Sequence, residues 1–144
     1  MSARETAIQA LQAAIAAAVA PVQVVRDATR PEKLPAAGLV LLRTGETQSA
    51  EAMMSPLQYA VEHQAEMIAW YSDADPTARA EAIDDMLTAV VAALASNRTL
   101  GGAVEWAQPG SPAAEVDDTE GTTPVGAMSL PITLYFTAAE SPAG

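Results

Sequence analysis

Leu57-Gln58-Tyr59-Ala60-Val61-Glu62-His63-Gln64-Ala65-Glu66-Met67-Ile68-Ala69-Trp70-Tyr71 admits two foldings, and the choice between them decides the fold class. As a helix, Ser55 caps it, Pro56 takes the first position, and Leu57, Val61, Ala65 and Ile68 line one side. Its Ala, Glu, Gln and Met content favours that reading. As a strand, Leu57, Tyr59, Val61, His63, Ala65, Met67 and Tyr71 alternate with Gln58, Glu62, Gln64 and Glu66. The alternation is clean up to Glu66; beyond it, Ile68 and Trp70 make the second face apolar as well. Such a strand would span about 50 Å at ~3.3 Å per residue, well beyond the usual length, so it would project from the domain or break in two. The residues alone leave both foldings open.

The flanking segments are clearer. Ser2–Ala20 reads as a helix with Ile8, Leu11, Ile15 and Val19 on one face, Ser2 as N-cap, Glu5 completing a capping box and Pro21 as its stop. Val22–Arg26 is a short strand candidate and 27–37, with Pro31 and Pro35, a loop. Leu39–Arg43 is an apolar strand closed by Thr44-Gly45. Glu46–Ser55, polar and small, is expected to be a mobile connection, with Met53-Met54 as a satellite of the core. Asp75 caps and Pro76 opens a helix running to about Asn97, with Ile83, Leu87, Val90, Val91 and Leu94 buried. Gly101-Gly102 supplies free backbone geometry. Ala103–Ala107 is expected to be a short strand with Val104 and Trp106 on one side. Gln108–Pro124 is a Pro/Gly/acid loop. In Met128–Thr137, Leu130, Ile132, Leu134 and Phe136 alternate as a half-buried strand, and Pro131, without an amide donor, marks an edge position.

The 144 residues contain no cysteine, one histidine and a net charge of −11. That length suits one domain, expected at 1–138 with a flexible tail at 139–144. Without cysteine there are no disulfides or thiolate metal sites. The charge is lopsided: residues 1–45 hold five basic and three acidic side chains, residues 46–144 two basic and fifteen acidic. Such a surface opposes gripping nucleic acid through its phosphates and suits solubility or a basic partner. Ala7–Pro21 is too short and interrupted for a membrane span, which needs ~20 apolar residues, and it imitates a signal peptide only weakly. The expectation is a cytosolic product with no membrane association.

No chemistry stands out. His63 would need an orienting carboxylate and a nucleophile to act as a base. Glu62 and Glu66 would face away from it in a strand, so an ordinary surface or interface histidine is expected. Asp75 reads as a cap and Asp84/Asp85 as a helix face. Asp117, Asp118 and Glu120 form a solvated acidic loop better than a cation site. Leu100-Gly101-Gly102 lacks the Lys and Ser/Thr of a phosphate loop. Neither enzyme activity, cofactor nor metal is expected.

The order of these segments resembles the tail terminator (tail-completion) proteins of long-tailed bacteriophages and related prophages. The features that carry the likeness are Ser55-Pro56 entering Tyr59–Tyr71, the helix Asp75–Asn97, Arg98-Thr99-Leu100-Gly101-Gly102, Val104–Trp106, the acidic loop and the closing strand Leu130–Phe136. It covers roughly 1–138, most sharply 55–136, and transfers no catalytic or ligand position.

The resemblance implies an α+β fold, with a mixed or antiparallel sheet of about four to five strands and two helices packed on one face, and Leu57–Tyr71 as strand. It further implies a hexameric ring, seated on the tail tube, that halts polymerisation of the tube protein. The ring would present a docking surface to a head-completion or connector protein and let DNA pass without specific binding. That places the protein in the virion, at the head-proximal end of the tail, after assembly in the host cytoplasm. On this reading Glu105, Glu115, Asp117, Asp118 and Glu120 face the lumen or the tube. Met53, Met54, Tyr59, His63 and Trp70 lie at the subunit interface, where an overhanging Leu57–Tyr71 strand and Glu46–Ser55 meet a neighbour. The alternative is a small acidic adaptor that binds a basic partner and has no virion role.

Overall fold

A computed structural model describes residues 2–28, 34–54, 56–114 and 125–139. The disputed stretch is strand. Gln58–Ser72 (β3) runs unbroken for 15 residues and is the middle of the sheet. On one side it pairs with Leu39–Met53 (β2), and on the other with Val125–Ala138 (β6), in register from Tyr59↔Ala138 to Ser72↔Val125. Both of its edges are therefore used within the chain, and the expected overhang does not exist. The length is supported by two equally long neighbours.

Helix α1 (Ala3–Val19), β1 (Gln23–Arg26), β2, β3, α2 (Pro76–Ser96), β4 (Trp106–Pro109), β5 (Ala113–Ala114) and β6 follow in chain order. The sheet order is β1-β2-β3-β6-β4, with β5 also on β6. Only β1 and β2 are parallel, so the sheet is mixed. This is the expected α+β class; the sixth strand is the two-residue β5, inside the expected loop.

Residue parity explains the two layers. Val61, Ala65, Met67 and Ala69 of β3 face the helices and join Val40 and Leu42 of β2 and Leu130, Ile132, Leu134 and Phe136 of β6. Against them pack Ile8, Leu11 and Ile15 of α1 and Ile83, Leu87, Val90 and Leu94 of α2. Each such side chain contributes about 1.5–3 kcal/mol on burial. Val91 is exposed and Met86 takes the expected place in the stripe. The second face, where alternation fails after Glu66, is covered at that end: Ile68 and Trp70 form a separate buried cluster with Leu39, Leu41 and Ala127, flanked by Val25, Leu34 and Val125.

Ser2 accepts the Glu5 amide at 3.0 Å, as a cap should. Glu5 does not complete the capping box; its carboxylate turns to Arg26 of β1, with Nη2 donating at 2.9 Å, and accepts from Gln9. The helix start is thereby tied to the sheet. Pro131 pairs opposite Glu66 while its carbonyl accepts from Gly110 at 2.7 Å. A residue in an antiparallel strand directs both backbone groups to one side. Pro131's missing donor therefore points into the gap between β4 and β5, as an edge position requires.

Candidate functional site

The segment expected to be a connection, Glu46–Ser55, is strand as far as Met53. Beyond Thr44-Gly45 the chain continues as the outer half of a long β2–β3 hairpin, interrupted by register shifts between Arg43 and Glu46 and between Thr47 and Ser49. Gly45 makes the shift possible. Its φ is +74°, and a Cβ there would sit 1.9 Å from the Gln64 carbonyl oxygen; both exclude a side chain.

The outer half is an arm that no helix among the described residues covers. Ala50 and Ala52 lie on the helix side, opposite Val61 and Tyr59, yet both are exposed. At the tip Met54 is 78% and Leu57 51% exposed, and Met53 is also exposed. The two methionines are not a satellite of the core, because the core ends before the arm does. Of the residues expected at a subunit interface, Met53 and Met54 are accessible and Tyr59 is half-buried. Trp70 is buried in the second cluster and His63 in the arm's root.

His63 is 1% exposed, so it is not a surface histidine. Its Nε2 lies against the Thr44 carbonyl, which can only accept, so Nε2 holds the proton; Nδ1 then accepts from the Thr47 hydroxyl at 3.0 Å. Burial, helped by Arg4, holds the imidazole's pKa below its ordinary value against the opposing Thr44 carbonyl. Thr44 is also held by Asp27, whose carboxylate takes its amide at 2.9 Å, and by Arg26 Nε at 3.0 Å. Burial pushes the Asp27 carboxyl up, yet Thr44 and Arg26 together keep it below the usual range. Arg26 holds the Glu5 carboxyl far lower, at about 2. These contacts lock the bend where the arm leaves the body. Among the described residues no carboxylate orients His63; its neighbours are the Thr44 carbonyl and the Thr47 hydroxyl, which hold the buried ring in place.

The helix-free face of the outer half is acidic. Glu46 and Glu51 of β2 and Glu62 of β3 share it with Tyr135 and Trp106, by the register Glu46↔Gln64, Glu51↔Ala60, Glu62↔Tyr135 and Trp106↔Tyr135. A groove of about 250 Å³ opens there, lined by Ser49, Glu51, Ala60, Glu62, Glu105 and Tyr135. Ser49 donates to Glu62, and the Glu62 carboxylate raises the Tyr135 phenol's pKa. Glu105 accepts from the Thr137 hydroxyl. Of the expected acidic site, Glu105 is present on this face, while Glu115, Asp117, Asp118 and Glu120 lie outside the described residues. Glu51, Glu62 and Tyr135 had no place in the sequence reading of the site; only the strand register brings them together.

The two long borders of the sheet differ. At β4, Ala107's outward amide donates to the Arg98 carbonyl at 2.8 Å and its carbonyl accepts from Arg98 Nη1 at 3.0 Å. The same guanidinium stacks 5.1 Å from the Trp106 ring centre. Trp106 is 46% exposed while Val104 is buried, so the two do not share a side, and the strand begins at Trp106 rather than Ala103. Among the described residues no group of three or more His, Cys, Asp or Glu could hold a metal, and no helix is long and apolar enough to cross a membrane. Compared with known protein-family models the chain matches none, and no curated protein matches it in sequence.

Proposed function

We propose that the chain is a structural subunit of a phage tail, a tail terminator that assembles as a hexameric ring at the end of the tail tube. The ring stops addition of tube subunits, offers a surface to the head connector and passes DNA without gripping it; the chain is not an enzyme. The observation that carries this reading is the arm. A hairpin whose tip leaves Met53, Met54 and Leu57 in water has apolar surface that a neighbouring subunit would cover. A head-to-tail contact of that kind closes into a ring when its rotation divides a full turn. The negative helix-free face supports the passage of DNA, since fixed carboxylates repel phosphates. The element order and the two-helix, one-face sheet also agree with the likeness to tail terminators.

Light scattering and native mass spectrometry across a concentration series, with and without tube protein, test it. A hexamer that shortens growing tubes is the expected result. A Met54→Glu, Leu57→Glu variant should fold and lose the ring. A protein that stays monomeric at every concentration, and does not alter tube length, overturns the proposal.

A further inference from the structure

Among the described residues the backbone edge of the arm is open, and its surroundings specify what would close it. β1 pairs with β2 only from Leu39 to Leu42. Asp27 then occupies the Leu42 carbonyl and the Thr44 amide. From Gly45 to Met53 the only further bond to the outward backbone among the described residues is from Gln48 Nε2 of the side chain to the Glu46 carbonyl, at 3.4 Å. The stretch contains neither Lys nor Pro, the residues that commonly protect an edge. Beyond the second register shift, Ser49–Met53 pairs regularly with Glu62–Gln58, so five consecutive residues present a straight template.

The charges select the occupant. The Glu46 and Glu51 carboxylates meet no partner among the described residues, and the groove beside them adds Glu62 and Glu105. A strand added outside β2 would lie about 4.8 Å away. A long basic side chain opposite Ser49 or Glu51 would cross β2 and bring its head to the rim of that groove. Among the described residues a second copy supplies few free cations, because Arg26, Arg43, Arg79 and Arg98 are each engaged within the chain.

We propose that Ser49–Met53 is a strand-addition site for an extended segment of another protein carrying Lys or Arg at alternate positions. Backbone bonds to the β2 edge supply register, and Glu46, Glu51 and the groove supply selectivity. This goes beyond the ring reading and does not require it, because the edge is complete in one subunit.

The test uses the full chain and an acetylated, amidated octapeptide alternating lysine and threonine. Calorimetric titration should show saturable binding, with amide exchange slowed at 49–53 and not along β6. The same peptide N-methylated on alternate amides should bind at least tenfold more weakly, as should the unmodified peptide to an E46K/E51K variant. An alternating glutamate–threonine peptide should not bind. Equal binding of the N-methylated peptide would mean diffuse charge attraction and overturn the proposal. So would no binding at millimolar peptide, or protection of 49–53 by self-association alone. Ring formation is read separately by mass, so either inference can fail while the other stands.

Discussion

The two halves of the β2–β3 hairpin have the same secondary structure and opposite environments. In the inner half, Val40 and Leu42 meet the helices while Leu39 and Leu41 sit in the second cluster, so both faces are buried. In the outer half, Ser49–Met53 is exposed on both faces and on its free edge. Continuous pairing to β3 therefore carries a strand some distance beyond the core that stabilises it. What separates the halves is the Thr44-Gly45 bend, pinned by His63, Asp27 and Arg26. Strand length here is therefore not a measure of stability: the inner half holds the fold, and the outer half lies outside the core.

That contrast can be broken most forcefully from the inside. Leu42→Ala, at a site with no exposure, should cost about 2–5 kcal/mol in denaturant unfolding. A loss under 1 kcal/mol would mean that the inner half is not the anchor. Gly45→Ala should cost of order 1–3 kcal/mol from its left-handed backbone alone, with the Gln64 contact adding to it. Amide exchange should show the arm loosening more than the body.

The bend should also give the protein a pH signature. His63's folded pKa is lowered, so the unfolded chain binds its proton more readily. Its contribution is complete above its ordinary pKa of 6.5 and is lost as pH falls below that value. Glu5, held at about 2 instead of 4.5, contributes above 4.5 and loses that contribution between 4.5 and 2. Denaturation midpoints of His63→Gln should lack the upper step and those of Glu5→Gln the lower one. Ser2→Ala should cost about 1 kcal/mol through the lost cap. Smallest of all, Met54→Ser should change stability by less than about 0.5 kcal/mol while weakening assembly. A large stability loss there would show that the tip belongs to the core.

Much of the body was legible. Asp75-Pro76 marks the start of α2 and Asn97 its end; Leu130, Ile132, Leu134 and Phe136 declare a half-buried strand. The break in alternation at Ile68 and Trp70 was a real signal, of a second cluster rather than a helix. The arm was less legible, because Glu46-Thr47-Gln48-Ser49 has the composition of a loop. Its strand conformation comes from pairing with β3, a tertiary effect that local propensity does not register. The groove was hidden for a related reason: Glu51, Glu62, Glu105 and Tyr135 are far apart in sequence and meet only through register. His63 misled because the polar groups that make its burial tolerable, Thr44 and Thr47, lie 16 to 19 residues away.

Arg98 gives the sheet a direction. By occupying both outward groups of Ala107 it closes that point of the β4 border, whereas the edge of the arm across the sheet has no such lock among the described residues. A molecule open to a strand on one side and closed on the other would not stack copy upon copy through these two borders into a fibre. One arginine, through its backbone carbonyl and its guanidinium together, would thus guard against amyloid-like growth, a hazard that a long, bare hairpin would otherwise carry at high concentration.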